Sequence, residues 1–463
     1  MNFDWLLIIL AAFLFWPRGY VLVYLIDRSK SFSFGFKFFA GWLLGLAGFT
    51  LDMFASMVFG GLSLGPLLLV MSSVTQIFGF SFMIYIFEKR IPWPNPLRLT
   101  KFIKRQVKNF KSFSSWEHIL LLVLVLTLLF RVSVSAWQIN NIPTYDFDAW
   151  NNWNLRAKVI YSEDKIPLDK TDQFYLGGGI KSYPLNDSLF KAYIALAVGK
   201  YEDRYSNLAG LFYYLLLLGL FYFSLPDRLG RGIKLIATYL LSSIPLLYFH
   251  SHVPYADLLF AIFLFMAVAS MFYYLIGRGN SFYYLSGMGL AFSIWTKNEG
   301  LSIILPIFII TTIILLSLKK VKLKDFLLQW FFAFLTVTPW LFYRTINRLD
   351  YLSGDSSTFN FVYNYQFFSE VFSSIFLRSH FNFLYILILI IIILKIKPIW
   401  KDFGLAYLVF SFLAILLAYN SIILFTDKAL DLSALARVNM QLVPVAVLLL
   451  VFFIHKFFAK IKV

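Results

Sequence analysis

Long apolar blocks alternate along this chain with short polar, mostly basic, connections, and the alternation runs almost from end to end. Each block lasts about twenty residues, the length of helix that crosses the hydrocarbon core of a bilayer. Apolar residues fill the blocks on every side, unlike the one-sided stripe of a surface helix. In lipid a segment must satisfy its own backbone N–H and C=O groups, so such blocks are helices. The pattern predicts about thirteen spans, near 4–26, 37–60, 66–87, 117–137, 204–225, 233–250, 256–277, 281–296, 299–318, 325–343, 380–396, 402–420 and 437–457. The expected fold class is an all-α polytopic membrane protein. The opening residues Met1-Asn2-Phe3-Asp4-Trp5 carry neither a basic cluster nor a small-residue cleavage site, and they read as the start of the first span.

Composition agrees with the pattern. Of 463 residues, 60% are hydrophobic and 14% charged, against about 25% charged in soluble domains. Mean hydropathy is +0.74. A water-soluble globular domain is excluded. The formal charge of +17 would point to nucleic acid in a soluble protein. Here Lys and Arg gather between spans, so anionic lipid and the positive-inside rule account for it. The basic connections are 88–116, Arg228/Arg231/Lys234, Lys319/Lys320/Lys322/Lys324, Lys395/Lys397/Lys401 and the tail Lys456/Lys460/Lys462. All fall on one side if the thirteen spans hold, which puts the N-terminus outside and the C-terminus inside.

Cysteine is absent, which excludes disulfides, thiolate nucleophiles and Cys-ligated metals. The histidines show no HxxxH or HExxH spacing, and His250 and His252 read as interfacial groups at a helix end. The stretch Ile91-Pro92-Trp93-Pro94-Asn95-Pro96 looks like a hinge. It divides the chain into an N-terminal three-helix membrane module (1–88), a basic cytoplasmic linker (89–116) and a main membrane domain (117–463). Two outer connections are long, about 138–203 and 344–379, and long ordered loops are usually functional. Within the first, 187–199 has the character of a short helix on the membrane surface. No internal repeat is visible.

Candidate chemistry collects on the outer side. Asp146 and Asp148 precede an aromatic and basic segment holding Trp150, Trp153 and Lys158; an Asp in this position either caps the helix or carries chemistry. Tyr183-Pro184 marks a turn near the end of the same loop. Tyr255-Ala256-Asp257 enters a span from outside, where Asp257 either caps the helix or serves a site. Lys297-Asn298-Glu299-Gly300 joins two spans; its polar groups either pair as a tight turn or face a cavity. Arg437 opens the last span and either reaches lipid head groups or binds a phosphate. Asp52 and Arg131 fall inside spans.

Taken in order, these pieces resemble the GT-C superfamily of membrane glycosyltransferases, in particular the bacterial branch with protein O-mannosyltransferases and the aminoarabinose transferase of lipid A. The residues that carry the resemblance are Asp148, Trp153 and Lys158, then Tyr183-Pro184, Tyr255-Ala256-Asp257, Lys297-Asn298-Glu299-Gly300, and Arg437 before Pro444. It covers about 117–457. The family's first outer loop follows its first membrane helix, whereas here three spans precede it, and the large soluble C-terminal domain of some relatives is missing. The resemblance implies a GT-C-like core with a long extracytoplasmic first loop, in a bacterial inner membrane, with the site facing outward. It implies a polyprenyl-phosphate sugar as donor, a glycan, lipid or protein acceptor, membrane lipids as surroundings and no nucleic acid.

On this reading Asp148 is the general base, with Asp146 beside it. Arg437, Lys158 and Lys297 bind the donor phosphate. Asp257, Glu299, Trp153, Tyr183 and Tyr255 orient sugar or acceptor. No cofactor is expected and no metal site is assigned, although a divalent ion bridging Asp146 and Asp148 is chemically possible. The competing readings are an O-antigen-type polymerase or ligase, which would use the arginines Arg344, Arg348 and Arg378 of the second long loop, and a lipid or sugar transporter, which would need polar groups near the bilayer midplane.

Overall fold

The computed structural model describes residues 3–88, 114–349, 362–426 and 433–458, with positions 100 and 104. The hinge at 91–96 and nearly all of the basic linker lie outside the described residues. So do Lys460 and Lys462 of the tail. The chain is helical throughout, with no strand among the described residues. The first third holds α1 (Phe3–Phe13), α2 (Phe15–Ile26), α3 (Phe34–Val58), α4 (Pro66–Glu88), α5 (Ser115–Asn141), α6 (Asn154–Ser162) and α7 (Asn186–Val198). The middle holds α8 (Asp203–Ser224), α9 (Arg231–Ser242), α10 (Pro245–Phe249), α11 (Asp257–Leu275), α12 (Asn280–Thr296), α13 (Leu305–Ser317) and α14 (Leu323–Asn347). The last part holds α15 (Phe368–Phe376), α16 (Leu384–Leu394), α17 (Ile396–Trp400), α18 (Phe403–Phe425), α19 (Ser433–Met440) and α20 (Val443–Phe453).

Among the described residues, eight helices are long and apolar enough to cross a membrane, or up to ten if each of two bent pairs counts as one span. The bent pairs are Tyr365–Phe381 with Leu384–Leu394, turned by 113°, and Ala434–Met440 with Val443–Phe457, turned by 46°. The protein is therefore a polytopic, all-helical membrane protein. Its helix ends are set by local chemistry. Ser33 accepts from the Phe36 amide at 3.2 Å to start α3, Asp402 accepts from Leu405 at 3.0 Å to start α18, and Ser114 and Glu117 form a capping box ahead of α5. Each gives a helix-end N–H an acceptor that the helix cannot supply.

Helix α11 is the axis of the bundle: 89% of its apolar window is buried, against 11% for α5. It packs on α8, α12, α18 and α20. On α5, Ile119, Leu122, Leu126, Leu129 and Phe130 stay exposed, as side chains facing lipid must. The N-terminal helices share this core. Helix α3 packs on α7, α8 and α14, the Trp295 indole donates to Thr50 Oγ1 at 3.0 Å, and Thr50 donates to Asn186 Oδ1 at 2.6 Å.

Close helix contact in the N-terminal part comes from three glycines. A Cβ on Gly19 would lie 1.6 Å from the Gly41 carbonyl oxygen, and one on Gly45 2.0 Å from that of Phe15. Gly41 and Gly45 form a small-xxx-small pair, which lets α2 and α3 pack backbone to backbone. Gly45→Leu should therefore destabilise the protein by about 3 kcal/mol through overpacking, lowering its thermal midpoint in detergent. Gly48→Ala, where an added Cβ meets nothing within 4 Å, should leave the midpoint unchanged.

The helix expected on the membrane surface at 187–199 forms as α7, but it is not superficial. Asn186 to Ala195 are all buried, because α1, α3, α6 and α8 close over it. Its cation Lys191 pairs with Asp187 at 2.6 Å, both fully buried. Tyr213 donates to the other Asp187 oxygen at 3.0 Å.

Candidate functional site

Five segments converge at one end of α11. The first is the 142–153 stretch, where a π-helical turn (Ala149–Trp153) follows Asp148. This wide turn spoils the ordinary helical phase, so the two tryptophans, three residues apart in sequence, do not share a face. Trp150 is 49% exposed and Trp153 2%. Asp148 stands at the cap position, yet its side chain makes no capping hydrogen bond. It reaches instead to Arg437 of α19, with Oδ2 2.7 Å from Nη2.

The second segment is the turn before α11. Lys191 donates to the Pro254 carbonyl at 2.8 Å, which holds the turn from below. The Tyr255 ring then lies under the Arg437 guanidinium, 4.6 Å from centroid to Cζ, and Tyr255 interacts electrostatically with Asp146. Burial lifts the Asp146 carboxyl above its ordinary pKa, and the nearby Asp148 charge adds to the rise. Tyr255 and Arg437 act against it.

Asp257 is the first residue of α11, and it too does more than cap. Its Oδ1 accepts from Lys297 at 2.9 Å and from Gln441 Nε2 at 2.7 Å. Lys297, directly after α12, also pairs with Glu299 Oε1 at 2.8 Å. Of the two sequence alternatives for this turn, the Lys297–Glu299 pair forms, and the lysine also serves a carboxylate on another helix. Lys297 lies over the Tyr183 ring at 5.7 Å, and Tyr183 stacks against Trp153 at 5.2 Å. Burial opposes the Lys297 charge, but Asp257 and Glu299 outweigh it and raise its pKa.

Every sequence-predicted site residue except Lys158 enters this chain of contacts. Lys158 is exposed on α6 and pairs with no acid among the described residues. Of the arginines in the second long loop, Arg344 is buried and donates to Asn298 Oδ1 at 2.7 Å. Arg378 is half-exposed and pairs with Glu370. Arg348 ends α14 in a left-handed conformation.

Gln441 is not among the residues that the sequence pattern singles out. It lies four residues beyond Arg437, so the spacing that stacks side chains on one helix face was a usable signal. Tyr419 of α18 donates to its Oε1 at 2.8 Å, which aims the amide nitrogen at Asp257. Asp257 Oδ2 and Glu299 Oε2 are buried and accept no hydrogen bond.

Beside Asp146 a cleft of about 30 Å³ is lined by Thr144, Tyr145, Asn207, His252 and Pro254, which is room for water and not for a sugar ring. His250 is buried and its Nδ1 lies 2.9 Å from the Leu246 carbonyl oxygen. No group of three His, Cys, Asp or Glu side chains among the described residues has the geometry to hold a metal ion.

The site therefore contains four carboxylates (Asp146, Asp148, Asp257, Glu299) and two cations (Arg437, Lys297). Carboxylates accept from hydroxyls, and a guanidinium binds carboxylate or phosphate oxygens two at a time. No protein-family model, no curated protein and no solved structure matches this chain.

Proposed function

We propose that this protein is a GT-C-type membrane glycosyltransferase, moving a sugar from a polyprenyl-phosphate donor to an acceptor outside the cytoplasm. The observation that carries the reading is the pair of buried carboxylate oxygens without a donor, Asp257 Oδ2 and Glu299 Oε2, flanking Lys297 behind the Asp148–Arg437 pair. A buried acceptor left unmatched costs about 1–3 kcal/mol, and a sugar supplies hydroxyl donors. The residues also sit at helix ends: Asp257 starts α11 and Lys297 follows α12. That placement suits a donor whose isoprenoid tail stays in lipid and whose sugar phosphate lies at the boundary. A transporter would concentrate such groups at the midplane. On this reading α4, the α9–α10 pair and the 17-residue α12 are spans as well, which brings the count to about thirteen and turns the site outward from a bacterial inner membrane.

The reaction is an inverting single displacement. Asp148 takes the acceptor hydroxyl proton while that oxygen bonds the anomeric carbon. The bond from the anomeric carbon to phosphate oxygen breaks with its electron pair, and Arg437 meets the charge that grows on the phosphate. Because Asp148 and Arg437 pair with each other, the donor phosphate enters by exchange, releasing Asp148 to act as base. Lys297, Asp257 and Glu299 hold sugar hydroxyls, and Trp153, Tyr183 and Tyr255 form the aromatic wall. A second reading, a polymerase or ligase, draws support from Arg344, which contacts the 298–299 turn.

Reconstitution in vesicles with labelled polyprenyl-phosphate sugars tests the proposal. Label passing to an acceptor as single residues supports it. Transfer of preassembled chains favours the ligase, and no transfer from any donor ends the enzymatic reading. A pH profile adds a second check. Asp146 holds its proton to higher pH than an ordinary carboxyl, so the rate should already fall in mild acid as that proton returns. In Asp146→Asn the acid limb should move to lower pH; an unmoved limb means another group titrates.

A further inference from the structure

Three basic connections that are far apart in sequence meet at the other end of α11, roughly 28 Å from Asp257 at 1.5 Å per residue. They surround a notch of about 260 Å³. Its polar rim is Arg228 from the α8–α9 turn, Asp402 at the start of α18, and His455 and Lys456 beyond α20. Its wall is apolar: Phe272 and Ile276 from the end of α11, Leu405 and Phe452. Phe272 and Phe452 meet edge to face at 4.7 Å.

The charges on the rim are unbalanced. Lys456 and Asp402 form an ion pair and cancel. Arg228 is exposed and has no ion pair among the described residues. His455 Nδ1 is buried and makes no hydrogen bond. One full cation and one uncommitted imidazole thus face a space whose floor is aromatic and aliphatic. A soluble anion would gain from the rim alone. An anionic phospholipid gains from both, its phosphate at Arg228 and His455 and its glycerol and first acyl carbons against the wall. A zwitterionic lipid brings its own cation and loses most of the rim's attraction.

We propose that this notch is a headgroup site for an anionic phospholipid at the basic end of the bundle. The proposal is independent of the glycosyltransferase reading. It is tested on the full chain in neutral detergent by native mass spectrometry and thermal shift, with phosphatidylglycerol and phosphatidylcholine of identical chains. Phosphatidylglycerol should be retained in preference and should raise the midpoint more. Arg228→Gln, at an exposed position, should weaken that preference about fivefold, the worth of one basic side chain beside an anionic headgroup. Lys324→Gln, on a basic connection that does not line the notch, should leave it intact. Equal retention of the two lipids overturns the proposal. So does equal loss in both variants, which would mean diffuse attraction to the basic face, or equal stabilisation by inorganic phosphate, which would mean the wall contributes nothing.

Discussion

Asp148→Asn should lower sugar transfer on the order of 10³-fold, the scale set by removing a positioned general base. The substitution keeps the shape of the side chain and removes only its ability to take a proton. It should leave folding nearly untouched, because the Asp148–Arg437 pair is partly open to solvent, with side chains 34% and 18% exposed, and such pairs contribute about 1 kcal/mol or less. Arg437 keeps its place over the Tyr255 ring. The measurements are single-turnover transfer in vesicles and the thermal midpoint of the same preparation. A variant with near-normal transfer would sink the assignment of the base. A loss of transfer with a collapsed midpoint would mean that the residue was only structural.

Lys297→Met should destabilise the protein by about 3–5 kcal/mol, the usual result of removing one partner from a buried ion pair. Two carboxylates depend on this lysine: Asp257, with a side chain 1% exposed, and Glu299, 15% exposed. Gln441 still donates to Asp257, but an amide does not balance a buried charge. The double variant Lys297→Met/Asp257→Asn removes one of the stranded charges and should regain part of the loss. Thermal unfolding in detergent reads both. An unchanged midpoint in the single variant would show that the pair is solvated in the folded protein. Activity should be lost in both variants, since the double one restores stability without restoring the cation.

Much of this is legible in the amino-acid sequence. Apolar block length announces membrane helices, since lipid leaves a chain few other ways to satisfy its backbone. The residues Asp146, Asp148, Tyr255, Asp257, Lys297, Glu299 and Arg437 are legible for a related reason. Charged groups at the edge of an apolar bundle are costly unless they have partners, so their presence between spans is itself a signal. Lys158 carries the same chemical character, yet its helix turns it toward solvent. The phase error begins at the π-helical turn Ala149–Trp153, which residue spacing does not reveal.

Sequence alone determined the class of the protein and the set of residues worth watching, because hydrophobic length and charge position are properties of single segments. Pairing was decided by the tertiary structure. Nothing in the order of residues says that Asp148 meets Arg437 and not Lys158, that Gln441 and Lys297 share Asp257, or that most of α7, Asn186 to Ala195, is buried against α1 and α3. Those outcomes depend on where helices hundreds of residues apart come to rest. That in turn is set by close packing, such as the glycine contacts between α2 and α3, and each packed helix presents only one of its faces to its neighbours.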